Sequence, residues 1–290
     1  FPLGKSGMPM VRFTPVGHLL GAASIGLRLR GESLLFSGDV GRQNDLLMPA
    51  PQTPGEADVL LVESTYGNRL HRSLESTYDE IAALLTATLP RGNVVVPSFA
   101  VGRTQEVLHV LADLARAGRV PRLTVIVDSP LAQAATEITA RYLPSLDPET
   151  RELAKWQAAH ADRMHVAFTE STEESKRVNT IRSGAVIVAA SGMADAGRVR
   201  HHLRHNLPRE ECAVMFTGFQ AQGTLGRALV DGAREVTLFR ERVPVRASVH
   251  TIGGLSAHAD QAGLFSWLAG FRAPPSRTFV VHGEREVSLA

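Results

Sequence analysis

Leu34-Leu35-Phe36-Ser37-Gly38-Asp39-Val40-Gly41 decides how this chain is read: an apolar run ends in Ser-Gly, and a lone acidic residue follows where the run must turn. A strand that stops this way delivers the Asp39 carboxylate to its end. Asp beside Gly commonly forms no more than an Asx turn, so the reading depends on what else the chain places at strand exits. Two histidines stand there. His18 follows Gly17 in the turn Gly17-His18-Leu19-Leu20-Gly21, and His282 ends the run Thr278-Phe279-Val280-Val281 before Gly283-Glu284. Singly, a His after Gly is seldom a ligand, and a His ending a run can simply cap a buried strand. Together, two imidazoles and a carboxylate are donors that zinc accepts, and the pattern points to metal-assisted hydrolysis.

Working outward, Val11-Arg12-Phe13-Thr14, Ile25-Gly26-Leu27-Arg28-Leu29-Arg30 and Ser33-Leu34-Leu35-Phe36 alternate in polarity, with Gly31-Glu32 between the last two. That is the pattern of antiparallel strands with one wet face. Val59-Leu60-Leu61-Val62-Glu63 is continuously apolar up to its last residue, as in strands covered on both faces. From residue 74 to about 233, apolar runs at 94–96, 123–127, 185–190 and 213–216 are separated by helical stretches at 78–89, 103–117 and 198–207. This order predicts an α/β fold in which a mostly parallel, helix-flanked sheet is inserted into a first lobe. The expected boundaries are a first lobe over 1–73, the insertion over 74–235 and a return over 236–290.

Composition sets the outer limits. At 290 residues and 44% hydrophobic, the chain can fill two moderate cores. No apolar run approaches the roughly 18 to 20 residues of a membrane span, and no basic-then-apolar leader opens the chain, so a soluble cytoplasmic protein is expected. The single cysteine, Cys212, excludes an intrachain disulfide and a cysteine-based zinc knuckle, and its apolar neighbours make it structural. Net charge is +2 at a pI of about 9.0, too little to mark a nucleic-acid binder by itself. All 31 basic residues except Lys5, Lys155 and Lys176 are arginine; that suits bidentate phosphate contacts, but a GC-rich genome explains it equally.

Ordered motifs also carry a resemblance. Gly17-His18-Leu19-Leu20-Gly21-Ala22, Ser37-Gly38-Asp39-Val40-Gly41, Glu63-Ser64-Thr65-Tyr66-Gly67, Ser191-Gly192-Met193, Ser256-Ala257-His258-Ala259-Asp260 and Val281-His282-Gly283-Glu284 follow one another as in the β-CASP branch of the metallo-β-lactamase fold. The chain resembles the RNA-processing nucleases of that branch, such as the bacterial RNase J type and the pre-mRNA 3′-end endonuclease, from about residue 13 to 284. The resemblance implies a partial αββα metallo-β-lactamase fold with an inserted β-CASP domain, and a zinc-dependent ribonuclease acting on single-stranded RNA. It leaves a homodimer open. His18, Asp39 and His282 would be metal ligands, with Asp39 bridging two zinc ions. His258 would protonate the leaving oxygen or stabilise the charged transition state, with Glu63 orienting its ring. Family members begin with a His-x-His-x-Asp-His loop, and none of the eleven histidines here forms it. The chain is therefore expected to be a fragment without its first lobe and with an incomplete zinc site. A catalytically inactive RNA-binding paralogue is the alternative.

Two strand-to-helix turns are candidate phosphate sites. Ser191, Gly192 and Met193 follow a buried run and open a helix, where backbone N–H groups can cradle an anion. Phe99-Ala100-Val101-Gly102-Arg103 repeats the arrangement, with Arg103 placed to meet the RNA backbone. Arg198, Arg200, His201, His202, Arg204 and His205 share one helix; a solvated face accounts for such runs, and of the six Arg198, nearest the helix start, is assigned to RNA. The inserted lobe is expected to close over the first and form a groove for single-stranded RNA.

Overall fold

The computed structural model describes residues 10–146 and 148–289; residues 1–9 of the expected first lobe lie outside the described residues. The chain opens with strands β1 (Met10–Pro15), β2 (Ala23–Leu29) and β3 (Glu32–Phe36), paired antiparallel in sequence order. Arg30 and Gly31 connect β2 to β3 with φ of 52° and 90°, the left-handed pair that matches a two-residue hairpin to strand twist. β4 (Val59–Glu63) then lies parallel to β3.

Next come α1 (Leu74–Thr88), β5 (Val94–Pro97), α2 (Arg103–Arg116), β6 (Leu123–Val127), α3 (Pro130–Arg141), α4 (Pro148–Ala159), β7 (Met164–Phe168), α5 (Thr172–Val178), β8 (Ala185–Ala189), α6 (Val199–Asn206), β9 (Ala213–Phe216) and α7 (Leu225–Val230). A hairpin of β10 (Glu235–Leu238) and β11 (Glu241–Pro244) precedes β12 (Ser248–Thr251). The chain ends with α8 (Gln261–Ala269), β13 (Arg277–Val281) and α9 (Arg285–Ser288).

These elements form two compact units. One takes the chain up to His71 and from Ser256 onward; the other is Arg72–Leu255. The first is built on a five-stranded sheet, β1-β2-β3-β4-β13, with β13 parallel to β4. Leu35, Leu60 and Val62 pack on one of its faces with Leu264 and Trp267 of α8. On the other face Phe13, Ile25, Phe36, Leu61 and Phe279 stand in register across all five strands, and the four apart from Leu61 are exposed.

The second unit holds a six-stranded, wholly parallel sheet in the order β12-β9-β5-β8-β6-β7. Every residue of β5, β8 and β9 is buried, as continuous apolar runs covered on both faces require. The return to the first unit differs from the sequence expectation of 236. β12 pairs in parallel with β9, Ser248 opposite Ala213 through Thr251 opposite Phe216, and this pairing keeps the chain in the second unit until Leu255. Strands of four residues carry too little periodicity to announce which sheet they join. Among the described residues, no helix is long and apolar enough to cross a membrane.

Candidate functional site

His18, Asp39, Glu63, His258 and His282 all belong to the first unit and meet at one end of its sheet. Glycines make the approach possible. Gly17 has φ +67°, and a Cβ there would fall 2.4 Å from the Pro49 carbonyl oxygen. A Cβ on Gly41 would lie 2.3 Å from the Gly17 carbonyl group. With both side chains absent, the Gly41 N–H donates to the Val16 carbonyl at 2.7 Å, drawing the Asp39 turn onto the His18 turn.

Asp39 then faces two imidazoles, Oδ2 lying 3.6 Å from His18 Nε2 and Oδ1 3.5 Å from His282 Nε2. His282 takes φ 55°, an uncommon conformation for a residue with a side chain, and the Thr65 hydroxyl donates to its carbonyl at 3.1 Å. The His18 and His258 rings approach to 4.4 Å between centroids. Among the described residues, ligand atoms of His18, Asp39 and His258 lie within 4.8 Å of one another, and His282 meets the group at Asp39.

His258 is held by Glu63. The His258 Nδ1 lies 3.1 Å from both Glu63 carboxylate oxygens, and Glu63 also accepts the Val40 N–H at 2.6 Å and the Thr65 N–H at 3.2 Å. Burial works to raise the Glu63 pKa, but the hydrogen bond and charge of His258, with these amides, keep it below the ordinary carboxylate value. A carboxylate on Nδ1 fixes the ring and leaves Nε2 as the working nitrogen. Gly41 and His258 share a β-bridge, and the Ala259 N–H donates to the Val40 carbonyl at 2.7 Å.

The donor set suits a metal ion. Burial, then the charge of His258, lower the pKa of His18 against the opposing pull of Asp39, which favours the neutral imidazole, the form that binds metal. Among the described residues the buried His18 Nδ1 meets no hydrogen-bond partner, and two imidazoles with a shared carboxylate are zinc donors.

His71 and Tyr66 were not expected at this site. The His71 ring meets Tyr66 edge-on at 4.8 Å and reaches the backbone of His258. Burial, the largest influence, lowers the His71 pKa. Its position four residues beyond Glu63-Ser64-Thr65-Tyr66-Gly67 is the one signal the sequence offers.

The residues expected at the phosphate turns lie in the second unit. Ser191, Gly192 and Met193 follow β8, and the Ser191 N–H donates inward to the Ala196 carbonyl at 3.1 Å. The Gly192 carbonyl accepts from Gln220 Nε2 at 3.1 Å, and that of Met193 from the Gly226 N–H at 2.9 Å. Gly192 packs on the Phe99 ring so closely that a Cβ would fall 2.7 Å from it, which brings the two expected turns together.

Three side chains there differ from the solvent-facing positions that the sequence suggests. The Arg103 side chain is 11% exposed and pairs with Glu106 at 2.5 Å. Arg198 Nη1 donates to Asp128 Oδ1 at 2.6 Å, and His202, on the helix read as a solvated face, is fully buried against Asp128 Oδ2, also at 2.6 Å. Asp128 accepts from Ser175 and Thr169 as well. Burial would raise its pKa, but these four partners hold the carboxyl well below the usual range. A buried carboxylate needs donors, whether Asp128 at the end of β6 or Glu106 within α2, and the nearest side-chain N–H groups supply them.

Two domain families match this chain. The Beta-Casp domain matches residues 104–229, and the Zn-dependent metallo-hydrolase RNA specificity domain matches 242–290. Ribonuclease TTHA0252 of Thermus thermophilus is 37% identical over 287 residues, an alignment covering 99% of this chain and 65% of that protein. An RNase J-like protein of Methanocaldococcus jannaschii is 32% identical, with 96% and 65% covered. The chain thus spans about two thirds of the length of these relatives. A solved protein of unknown function from Enterococcus faecalis V583 shares the fold over 99% of this chain and 61% of its own, with a TM-score of 0.54 at 12% identity. On the two matched domains, these relatives and the ordered motifs around His18, Asp39, His258 and His282, the chain belongs to the β-CASP family of the metallo-β-lactamase fold.

Proposed function

We propose that this chain is part of a zinc-dependent ribonuclease that hydrolyses phosphodiester bonds of single-stranded RNA. The observation that carries the reading is Asp39 set between His18 and His282, with His258 beside them and clamped by Glu63. His18, Asp39 and His282 would hold zinc, which when bound supplies an activated water and neutralises phosphate charge. The chain's own groups do the rest. Glu63 accepts Nδ1–H of His258 and so fixes the ring, leaving Nε2 as the nitrogen that would donate a proton to the leaving oxygen. The Asp39 carboxylate faces both rings, Oδ2 toward His18 Nε2 and Oδ1 toward His282 Nε2, as a shared ligand would. In the second unit, the turn of Ser191, Gly192 and Met193 would meet an RNA phosphate through the Gly192 and Met193 amides, since the Ser191 N–H is engaged by Ala196. Arg103 and Arg198 would stand beside it, each contributing whatever edge Glu106 or Asp128 leaves free.

The relatives' names, ribonuclease and RNase J-like, support this substrate class. The test is cleavage of a labelled single-stranded RNA by zinc-supplemented protein in an intact version that also carries the His-x-His-x-Asp-His loop. His258→Ala should lower the rate by roughly 10² to 10⁴-fold with zinc content unchanged, the range for loss of a general acid, whereas His18→Ala should lose zinc and activity together. If His258→Ala removed the zinc, or left the rate unchanged, the assignment of His258 as proton donor would be wrong.

A further inference from the structure

His258 sits on a loop, and an imidazole that must place Nε2 at a reacting atom needs that loop held rigidly. One side is tied by Gly41 and Val40. The other side is tied by Gly67–His71. The Gln261 N–H donates to the Arg69 carbonyl at 3.0 Å, and Gln261 Nε2 to the Gly67 carbonyl at 2.9 Å. The His71 N–H donates to Asp260 Oδ2 at 3.0 Å, while Asp260 Oδ1 caps α8 at Gly263 at 2.9 Å. Closest to the reactive residue, His71 Nε2 lies 2.9 Å from the His258 carbonyl oxygen. A carbonyl can only accept, so Nε2 carries the proton and His71 is the donor. The Tyr66 ring packs edge-on against the His71 ring, and the Arg69 guanidinium lies 5.3 Å from the Tyr66 centroid.

We propose that His71 is a positioning residue for His258: its Nε2–H fixes the His258 carbonyl, and through it the alignment of the His258 ring with Glu63. The proposal rests on the reading of His258 as proton donor for the importance of the alignment, and on geometry alone for its existence. His71 is not itself placed to transfer a proton, because Nε2 is committed to the carbonyl. A hydrogen bond to backbone is the device a loop needs here, since a displacement of about 1 Å at a proton donor can cost up to about 10²-fold in rate.

Three measurements test it. In 15N-histidine-labelled protein at pH 8, the long-range 1H–15N spectrum should show His71 as the Nε2–H tautomer, the signal being assigned by its absence in His71→Leu; the Nδ1–H tautomer would overturn the proposal. Hydrogen exchange of the peptide 256–261 should quicken about 5- to 10-fold in His71→Leu, which keeps volume and loses the donor, the effect of one hydrogen bond. It should stay near wild type in His71→Gln, whose amide can still donate, with peptide 59–63 unchanged in both. Equal exchange in wild type and His71→Leu, or in the two variants, would overturn it. In RNA cleavage, His71→Leu should lower kcat about 10-fold or more at unchanged KM and zinc content, and His71→Gln should restore most of the loss. Wild-type protein that cleaves no RNA while the tautomer and exchange results hold would remove the catalytic reading of the site and leave the positioning standing.

Discussion

Asp128→Ala should unfold the second unit at a markedly lower temperature. The Asp128 side chain is wholly buried and accepts from Arg198 Nη1, His202 Nε2 and the Ser175 hydroxyl, each at 2.6 Å, and from the Thr169 hydroxyl. Alanine leaves a guanidinium, a fully buried imidazole and two hydroxyls facing a void. Breaking a buried charge pair by removing one partner costs about 3–5 kcal/mol. At about 2–4 °C per kcal/mol for a unit of this size, the melting temperature should fall by about 6–20 °C. Calorimetry at pH 7 reads this directly. Asp128→Asn keeps the volume and one acceptor oxygen, so its fall should be smaller. The pH dependence has a definite sign. Because the folded carboxyl titrates well below the ordinary value of about 4, its stabilisation is present above that value and disappears as pH falls toward the folded pKa. Wild type should therefore lose stability more steeply than Asp128→Asn as pH drops below about 5. A melting temperature for Asp128→Ala within about 2 °C of wild type, or equal acid slopes, would refute the account of this network.

Zinc should bind weakly to the chain of 290 residues, because His18, Asp39 and His282 offer two ions about two protein ligands each, against about three plus water at a catalytic site; two zinc ions retained through dialysis, by elemental analysis, would contradict this. Gly192→Ala drives a Cβ to 2.7 Å from the Phe99 ring and should cost about 1–3 kcal/mol in urea unfolding, a value near zero showing that the ring swings freely. Metal-free protein should bind short single-stranded RNA with affinity that falls with salt. Arg103→Ala should lower the salt slope by roughly 0.7, the loss of one phosphate contact, and an unchanged slope would confine Arg103 to its pairing with Glu106.

The residues at strand exits are legible in sequence because a strand end is a local event: apolar side chains stop, a small residue lets the backbone turn, and a polar side chain is left at the edge. Leu34-Leu35-Phe36 before Asp39, and the run ending at His282, show this without any fold in hand. The parallel sheet of the second unit is legible for the same reason, since β5, β6, β8 and β9 are short apolar runs separated by helical periods. Four-residue β12 was not, because nothing within it says that β9 is its neighbour.

Partnership was decided by tertiary structure. His202 reads as part of a solvated face and Arg198 as an RNA contact because a helix shows its own period and not what faces it; Asp128, 74 and 70 residues away, takes both as partners and buries His202. His71 looks like a loop histidine until the chain returns 187 residues later and sets the His258 carbonyl against its ring. The sequence by itself determined which side chains reach strand ends, since that depends on neighbours a few bonds away. Which of them meet was set by long-range packing, since a hydrogen bond or metal centre depends on distances of a few ångströms that no local pattern encodes.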